Sequence, residues 1–196
     1  MPNVLVIAGP NGAGKTTTGI NLLKILNTEV QINNFVNADT IAQGFSPHEP
    51  EKVAIEASRT MLKKIDSLAN EKQDFAFETT LASRTFAPKI IDWKKAGYHF
   101  YLIFLFLDSA ELAIARVEER IKIGGHSVPE KTIRRRYING LKNFFNLYSE
   151  IADSWRLYNN SNQGVPVPIA AKTSDTLKIQ QPLIWQTLVE EYHGKS

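Results

Sequence analysis

The feature that most constrains this chain is the octapeptide Gly9-Pro10-Asn11-Gly12-Ala13-Gly14-Lys15-Thr16, followed by Thr17. It satisfies G-x-x-x-x-G-K-[ST] at every fixed position. An unalternating apolar run, Val4 to Ala8, precedes it and reads as a strand buried on both faces of a parallel sheet. Helical spacing of Ile20, Leu23 and Leu26 follows it, over Thr17 to Leu26. Strand, glycine loop and helix in this order form an anion cradle. Gly12 and Gly14 let backbone N–H groups turn inward, and the helix adds its positive end. Lys15 supplies a charge for β- and γ-phosphates, and the Thr16 hydroxyl a ligand for Mg²⁺. A glycine turn with an incidental lysine would need neither flanking element. The cofactors expected from the loop are ATP and Mg²⁺.

Beyond the loop, strand and helix signals alternate. Phe35–Asn37 and Phe75–Phe77 read as short strands that end at Asp39 and Glu78. Tyr98–Leu107 is the strongest strand. Helices are expected over Pro50–Ala69, Ser83–Ala96, about Asp108 to Ile123, Pro129 to about Leu157, and Leu177–Tyr192. Val165–Ala171 reads as a last strand, shortened or confined to an edge by Pro166 and Pro168. This pattern predicts a three-layer α/β domain with a mostly parallel sheet flanked by helices, the P-loop nucleoside triphosphate hydrolase architecture in its nucleotide-kinase-like form with a helical lid. One domain over 1–196 is expected from the length of 196 residues, with the lid at about 116–136. In such sheets ligands lie outside the carboxyl ends of the strands, so Gly9, Asp39 and Glu78 are expected along one edge.

Composition narrows the class. The chain has no cysteine, which excludes disulfides and thiolate metal sites. Its formal charge of +3 is too small to argue for nucleic acid as a partner. The longest apolar run, Tyr101–Leu107, is far short of a bilayer span. With no targeting segment in view, the expected location is cytoplasmic and no membrane partner is expected.

Candidate chemistry follows from position. Asp39 stands where a base could take a proton from an attacking hydroxyl, although a cap or turn aspartate would also fit. Glu78 with Thr79 and Thr80 offers one carboxylate and two hydroxyls, suited to sugar or ribose hydroxyls; a strand end facing water is the alternative. Tyr101–Leu107 with Asp108 could be a metal-binding strand end, but Asp108 reads better as a helix N-cap with Glu111 at the N3 position. Arg116 and Arg120 share a helix face. With Arg134-Arg135-Arg136 beyond the Gly124-Gly125 break, they form a basic pair of helices. Arg116, Arg120 and Arg135 are the expected contacts of the nucleotide phosphates; a solvated face paired with Glu118, Glu119 and Glu130 is the alternative for some of the five arginines, and spacing alone does not fix which turn inward. The aromatic series Tyr137, Phe144, Tyr148 and Trp155 reads as core.

Taken together, Gly9 to Thr17, Asn37-Ala38-Asp39, Phe77-Glu78-Thr79-Thr80 and the segment Gly124-Gly125-His126 to Arg134-Arg135-Arg136-Tyr137 resemble the zeta-toxin group of P-loop kinases, over about residues 3–172. The likeness is to a compact bacterial branch described as predicted ABC-type ATPases. It implies ATP-dependent phosphorylation of a sugar hydroxyl on a nucleotide sugar, UDP-N-acetylglucosamine being the family's known substrate. By the same resemblance Lys15 and Thr16 hold phosphates and metal, Asp39 is the base, Glu78 a substrate-binding acid and Arg116 a γ-phosphate arginine. The chain departs from the pattern at His126, where a second lid arginine would fall. It departs again at Asn159-Asn160-Ser161, where that branch often carries an aspartate. An antitoxin partner is not indicated by these residues. Two other functions stay open on the sequence: a regulatory ATP-binding module read by a protein partner, and a nucleic-acid end kinase.

Overall fold

A computed structural model describes residues 1–19, 21–22, 34–46, 53–125, 127–162 and 164–194. The apolar runs collapse into a seven-stranded sheet of order β2-β3-β1-β4-β5-β6-β7. Its strands are β1 (Asn3–Ala8), β2 (Phe35–Val36), β3 (Phe75–Thr79), β4 (His99–Phe106), β5 (Ser154–Asn159), β6 (Val167–Thr173) and β7 (Thr176–Ile179). The first five run parallel, and β6 and β7 are antiparallel additions. Helices α1 (Ala38–Phe45), α2 (Ala54–Asn70), α3 (Phe86–Lys95), α4 (Ala110–Lys122), α5 (Glu130–Asn143) and α6 (Pro182–Tyr192) flank it. This is the expected mostly parallel α/β sheet with helical cover.

Burial explains the strand pattern. Val4, Val6, Ile7, Phe75, Phe77, Phe100 and Phe104 are all fully buried, which is why their sequences do not alternate. Phe75 packs edge to face on Trp93 of α3 with ring centroids 5.3 Å apart. Adjacency of β2, β3 and β1 brings the ends of the three short strands to one edge of the sheet, as the alternating pattern predicts.

Several expectations are corrected. The helix expected to reach Leu157 continues from α5 through a π-wound stretch, Phe144–Tyr148, and stops at Ile151. Ser154–Asn159 is instead a strand beside β4. The chain turns at Asp153, whose carboxylate accepts from the Phe100 N–H at 2.8 Å and pairs with Lys94 at 2.9 Å. That anchors the new strand in register. The aromatic series is buried as expected, but its last member, Trp155, belongs to β5. Leu177–Ile179 is strand, not helix, and the terminal helix begins at Pro182, a residue suited to a first turn. β6 is internal where Ala170–Thr173 pair with β7, whereas Pro168 lies beyond that ladder, so its missing N–H interrupts no bond to β7. The N-cap of α4 is Ser109, which accepts from the Leu112 N–H, so Asp108 is not the cap and Glu111 is not at N3. Half of the helix expected over Thr17–Leu26, and the start of that expected at Pro50, lie outside the described residues; Lys15–Gly19 winds as a π-helical turn.

α5 is seated against the sheet edge. Tyr137 donates to the Leu107 carbonyl at 2.7 Å, and Asn143 donates to the Leu81 carbonyl at 2.7 Å. A Cβ on Gly140 would lie 2.5 Å from the Thr80 carbonyl oxygen. Gly140→Ala is therefore expected to lower unfolding free energy by about 1–3 kcal/mol, read by chemical denaturation.

Candidate active site

The loop after β1 is held open by its glycines. Gly12 and Gly14 have φ of +77° and +76°, values that side chains rarely tolerate. Gly9 passes so close to β4 that a Cβ would lie 2.4 Å from the Leu105 carbonyl oxygen. The loop's carbonyls point back into the protein, where each of several finds a donor. Pro10 O accepts from Lys15 Nζ at 2.9 Å and from the Ala13 N–H at 3.2 Å. Ala13 O accepts from Asn160 Nδ2 at 2.8 Å. Gly14 O accepts from the Thr18 N–H at 2.8 Å. With its carbonyls turned away, the loop is shaped as an anion nest.

Lys15 is half-buried, at the wall of the loop. Burial pulls its ammonium down to about 8, against the opposing pull of Glu78 and Asp39, while Arg120 and Arg136 push it further down. Thr16 Oγ1 donates to Glu78 Oε2 at 3.2 Å, and Glu78 Oε1 is buried without a partner. Burial raises the Glu78 pKa, with Lys15, Thr16 and Asn37 acting the other way. An orphaned carboxylate oxygen beside a threonine hydroxyl is a hard-oxygen donor set, and it fits a magnesium ion.

Asp39 lies in the first turn of α1, where the Asn37 side chain caps the helix by accepting from the Asp39 N–H at 2.7 Å. The local fold thus presents Asp39 while a neighbour performs the capping. Three cavities meet at Asp39, and two of them also share Lys15 and Glu78. One, of about 300 Å³, lies over the loop and is lined by Gly12, Gly14, Thr16, Thr17, Arg116 and Arg120. The other, of about 350 Å³, is lined by Asn37, Thr79, Thr80, Ser83, Phe86 and Arg136. Asn11, Lys15, Asp39 and Glu78 line both. A larger cavity of about 530 Å³, walled by Ile138, Leu183, Ile184 and Leu188, lies between α4, α5 and α6 and includes none of the expected site residues.

The arginines divide. Arg116 reaches inward: Nη1 donates to Asn160 O at 2.8 Å and weakly to Gly12 O at 3.5 Å, and Nη2 donates to Ser161 O at 2.7 Å. Arg120 faces the loop cavity. Arg134 pairs with Glu111 and Glu130 on the surface. Arg135 is exposed, and it is Arg136 that enters the cleft, donating to Asn11 Oδ1 at 3.3 Å. Arg135, the expected nucleotide contact, lines neither cavity, whereas Arg136, one residue on and about 100° round the helix, lines the second. His126 lies outside the described residues. Thr80 lines the second cavity, and Thr79 also accepts from the Leu81 N–H at 3.1 Å, holding a turn in which Leu81 has φ of +56°. Asp108 serves a different network: its carboxylate accepts from Asn159 Nδ2 and its N–H donates to Ser161 Oγ, each at 2.8 Å. Sequence reasoning reaches Asn37, Arg136 and Asn160 only within longer segments, and it does not foresee the contacts that bring them to the site.

Comparison with known proteins places this geometry in a group. The zeta toxin family model matches residues 1–165. An uncharacterized protein of Haemophilus influenzae is 28% identical over 130 residues, covering 66% of this chain and 88% of that protein. The crystal structure of AvrRxo1-ORF1:AvrRxo1-ORF2 with sulphate ions aligns with TM-score 0.73 and 16% identity, over 96% of this chain. This chain spans 63% of the length of that one. The PezAT toxin–antitoxin system of Streptococcus pneumoniae aligns with TM-score 0.62 and 15% identity, over 100% of this chain and 80% of that one. At such identities the structural likeness carries the fold alone.

Proposed function

The chain belongs to the zeta-toxin family of P-loop kinases, and we propose that it transfers the γ-phosphoryl group of ATP to a sugar hydroxyl of a nucleotide sugar such as UDP-N-acetylglucosamine. The observation that carries this reading is the pair of cavities meeting at Lys15, Asp39 and Glu78. A nucleotide hydrolase needs one compartment; a kinase needs two that share a wall at the reacting phosphorus. A relative of the same fold has been crystallised with ATP, which supports the choice of donor.

In this reading the loop N–H groups and Lys15 hold the β- and γ-phosphates, with Gly9 to Thr17 forming the cradle. Thr16 and Glu78 would hold Mg²⁺, which would supply positive charge against the negative charge of the β- and γ-phosphates. The acceptor hydroxyl enters from the side of Thr79 and Thr80. Its oxygen bonds to the γ-phosphorus, the bond to the β–γ bridging oxygen breaks, ADP departs, and the hydroxyl proton passes to Asp39. Arg120 and Arg136 offset the charge spread over the transferring oxygens, and Arg116 contributes from its tethered position. The two arginine-bearing segments, about 116–136, act as a lid that excludes water.

Glu78 should make metal use sensitive to pH. Its raised pKa means that a proton competes with the ion, so Mg²⁺ binding weakens as pH falls. Glu78→Gln is expected to raise the Mg²⁺ concentration for half-maximal activity at least roughly tenfold and to flatten that pH dependence. A magnesium titration at two pH values checks both.

The substrate is tested by mass spectrometry of UDP-N-acetylglucosamine incubated with protein, ATP and Mg²⁺. A species heavier by one phosphoryl group supports the reading; ATP consumed with the sugar unchanged removes this acceptor.

A further inference from the structure

We propose that Asn160 is a positioning residue for phosphoryl transfer: together with Arg116 it forms a clamp that presets the phosphate loop in its nucleotide-receptive shape. The proposal rests on the kinase reading for the word transfer, but its first consequence is nucleotide affinity.

The loop can aim its N–H groups at phosphates only if its carbonyls face the other way, and each carbonyl so buried needs a donor. Two of these donors come from within the loop or its following turn, for Pro10 and Gly14. The Ala13 carbonyl is served from elsewhere in the chain, by Asn160 Nδ2 at 2.8 Å. This bond spans 147 residues and is buried at both ends. It lies at the point of greatest demand, since the same peptide carries the Gly14 N–H and the next one the Lys15 N–H. Gly14 is shaped around the same amide: a Cβ there would lie 3.0 Å from Asn160 Nδ2. The amide also approaches Thr18 Oγ1 at 3.4 Å.

Asn160 is itself fixed. It follows β5 directly, and its N–H donates to Phe106 O at 2.9 Å, continuing the β4–β5 ladder. Its carbonyl accepts from Arg116, whose second nitrogen holds Ser161. Asn159 and Ser161 on either side are tied to Asp108. The strand ends thus carry a rigid donor to the back of the loop, and α4 is laced to the same point through Arg116.

The donor function is what matters, so the informative variant is Asn160→Asp. It keeps the shape but sets an acceptor oxygen against the Ala13 carbonyl. Isothermal titration with ATP is expected to show affinity reduced at least roughly tenfold. Steady-state assays should show KM for ATP raised in parallel and KM for the acceptor unchanged. Hydrogen exchange at Gly12–Thr18 should be faster than in the wild type. A merely structural role would lower the melting temperature and leave these ATP-specific changes absent. Should Asn160→Asp fail to fold, Asn160→Ala carries the same test, with the same split between the two KM values expected. ATP affinity and loop exchange equal to the wild type in a folded variant would overturn the proposal. A wild type that binds ATP but phosphorylates nothing, with the Asn160 variants weakened in binding, would overturn the kinase reading and leave the clamp standing.

Discussion

Lys15→Ala is expected to abolish phosphoryl transfer, with kcat falling by at least about 10²–10³-fold, while the protein stays folded. Among the described residues the lysine is the one cation that lines both cavities, together with Asp39 and Glu78. Its loss removes charge from the donor phosphates and leaves Pro10 O with the Ala13 N–H as its remaining donor. Stability should move differently from activity. A lysine held at about 8 against its ordinary 10.5 carries a cost of burying charge at neutral pH. Between those two values the unfolded chain binds more protons than the folded one. Wild-type stability should therefore rise with pH from about 8 to 10.5 relative to Lys15→Ala. Denaturation of both proteins across that window, beside a transfer assay at neutral pH, checks the two halves of the prediction.

Asp39→Asn is expected to lower kcat by roughly 10²–10⁴-fold with ATP affinity retained. The substitution preserves shape, and the helix cap is unaffected because Asn37 supplies it. What is lost is a proton acceptor at the seam between the two cavities. Calorimetry with ATP and a single-turnover assay separate the effects: unchanged binding with absent chemistry identifies the base. Near-normal turnover would remove Asp39 from that role and leave its carboxylate as a positioning group for the acceptor.

Much of this architecture was legible before any coordinates. Gly9 to Thr16 carries its own context, because the loop needs a buried strand before it and a helical turn after it. β2 and β3 were legible as short apolar runs, but not their ends: β2 stops at Val36 and β3 runs on through Glu78 to Thr79. The region beyond Pro129 was not legible. Tyr137, Phe144, Tyr148 and Trp155 repeat at intervals that suit a helix, and nothing local to Trp155 says that it has crossed into a strand. That decision is made by Asp153, bonded to Phe100 on the neighbouring strand, a tertiary contact that periodicity cannot show. Missing β5 also hid the contact of Asn160 with the loop, since a polar residue matters there only once it is known to end a strand beside it. Arg135 and Arg136 illustrate a finer limit. Both lie in one basic run, and only the seating of α5 through Tyr137 and Gly140 decides which faces the cleft. Asp108 looked like a cap because Ser109 beside it is an equally good one, and the backbone chose the serine.

The central claim is that the γ-phosphoryl group leaves ATP for an organic hydroxyl at the seam marked by Lys15, Asp39 and Glu78. The most direct measurement follows γ-labelled ATP incubated with Mg²⁺, a pool of nucleotide sugars and either wild-type protein or Asp39→Asn. The account predicts label in a stable organic phosphate with the wild type, little or none of it with the variant, and ATP bound by both. Label found only as inorganic phosphate, or left wholly in ATP, would contradict it.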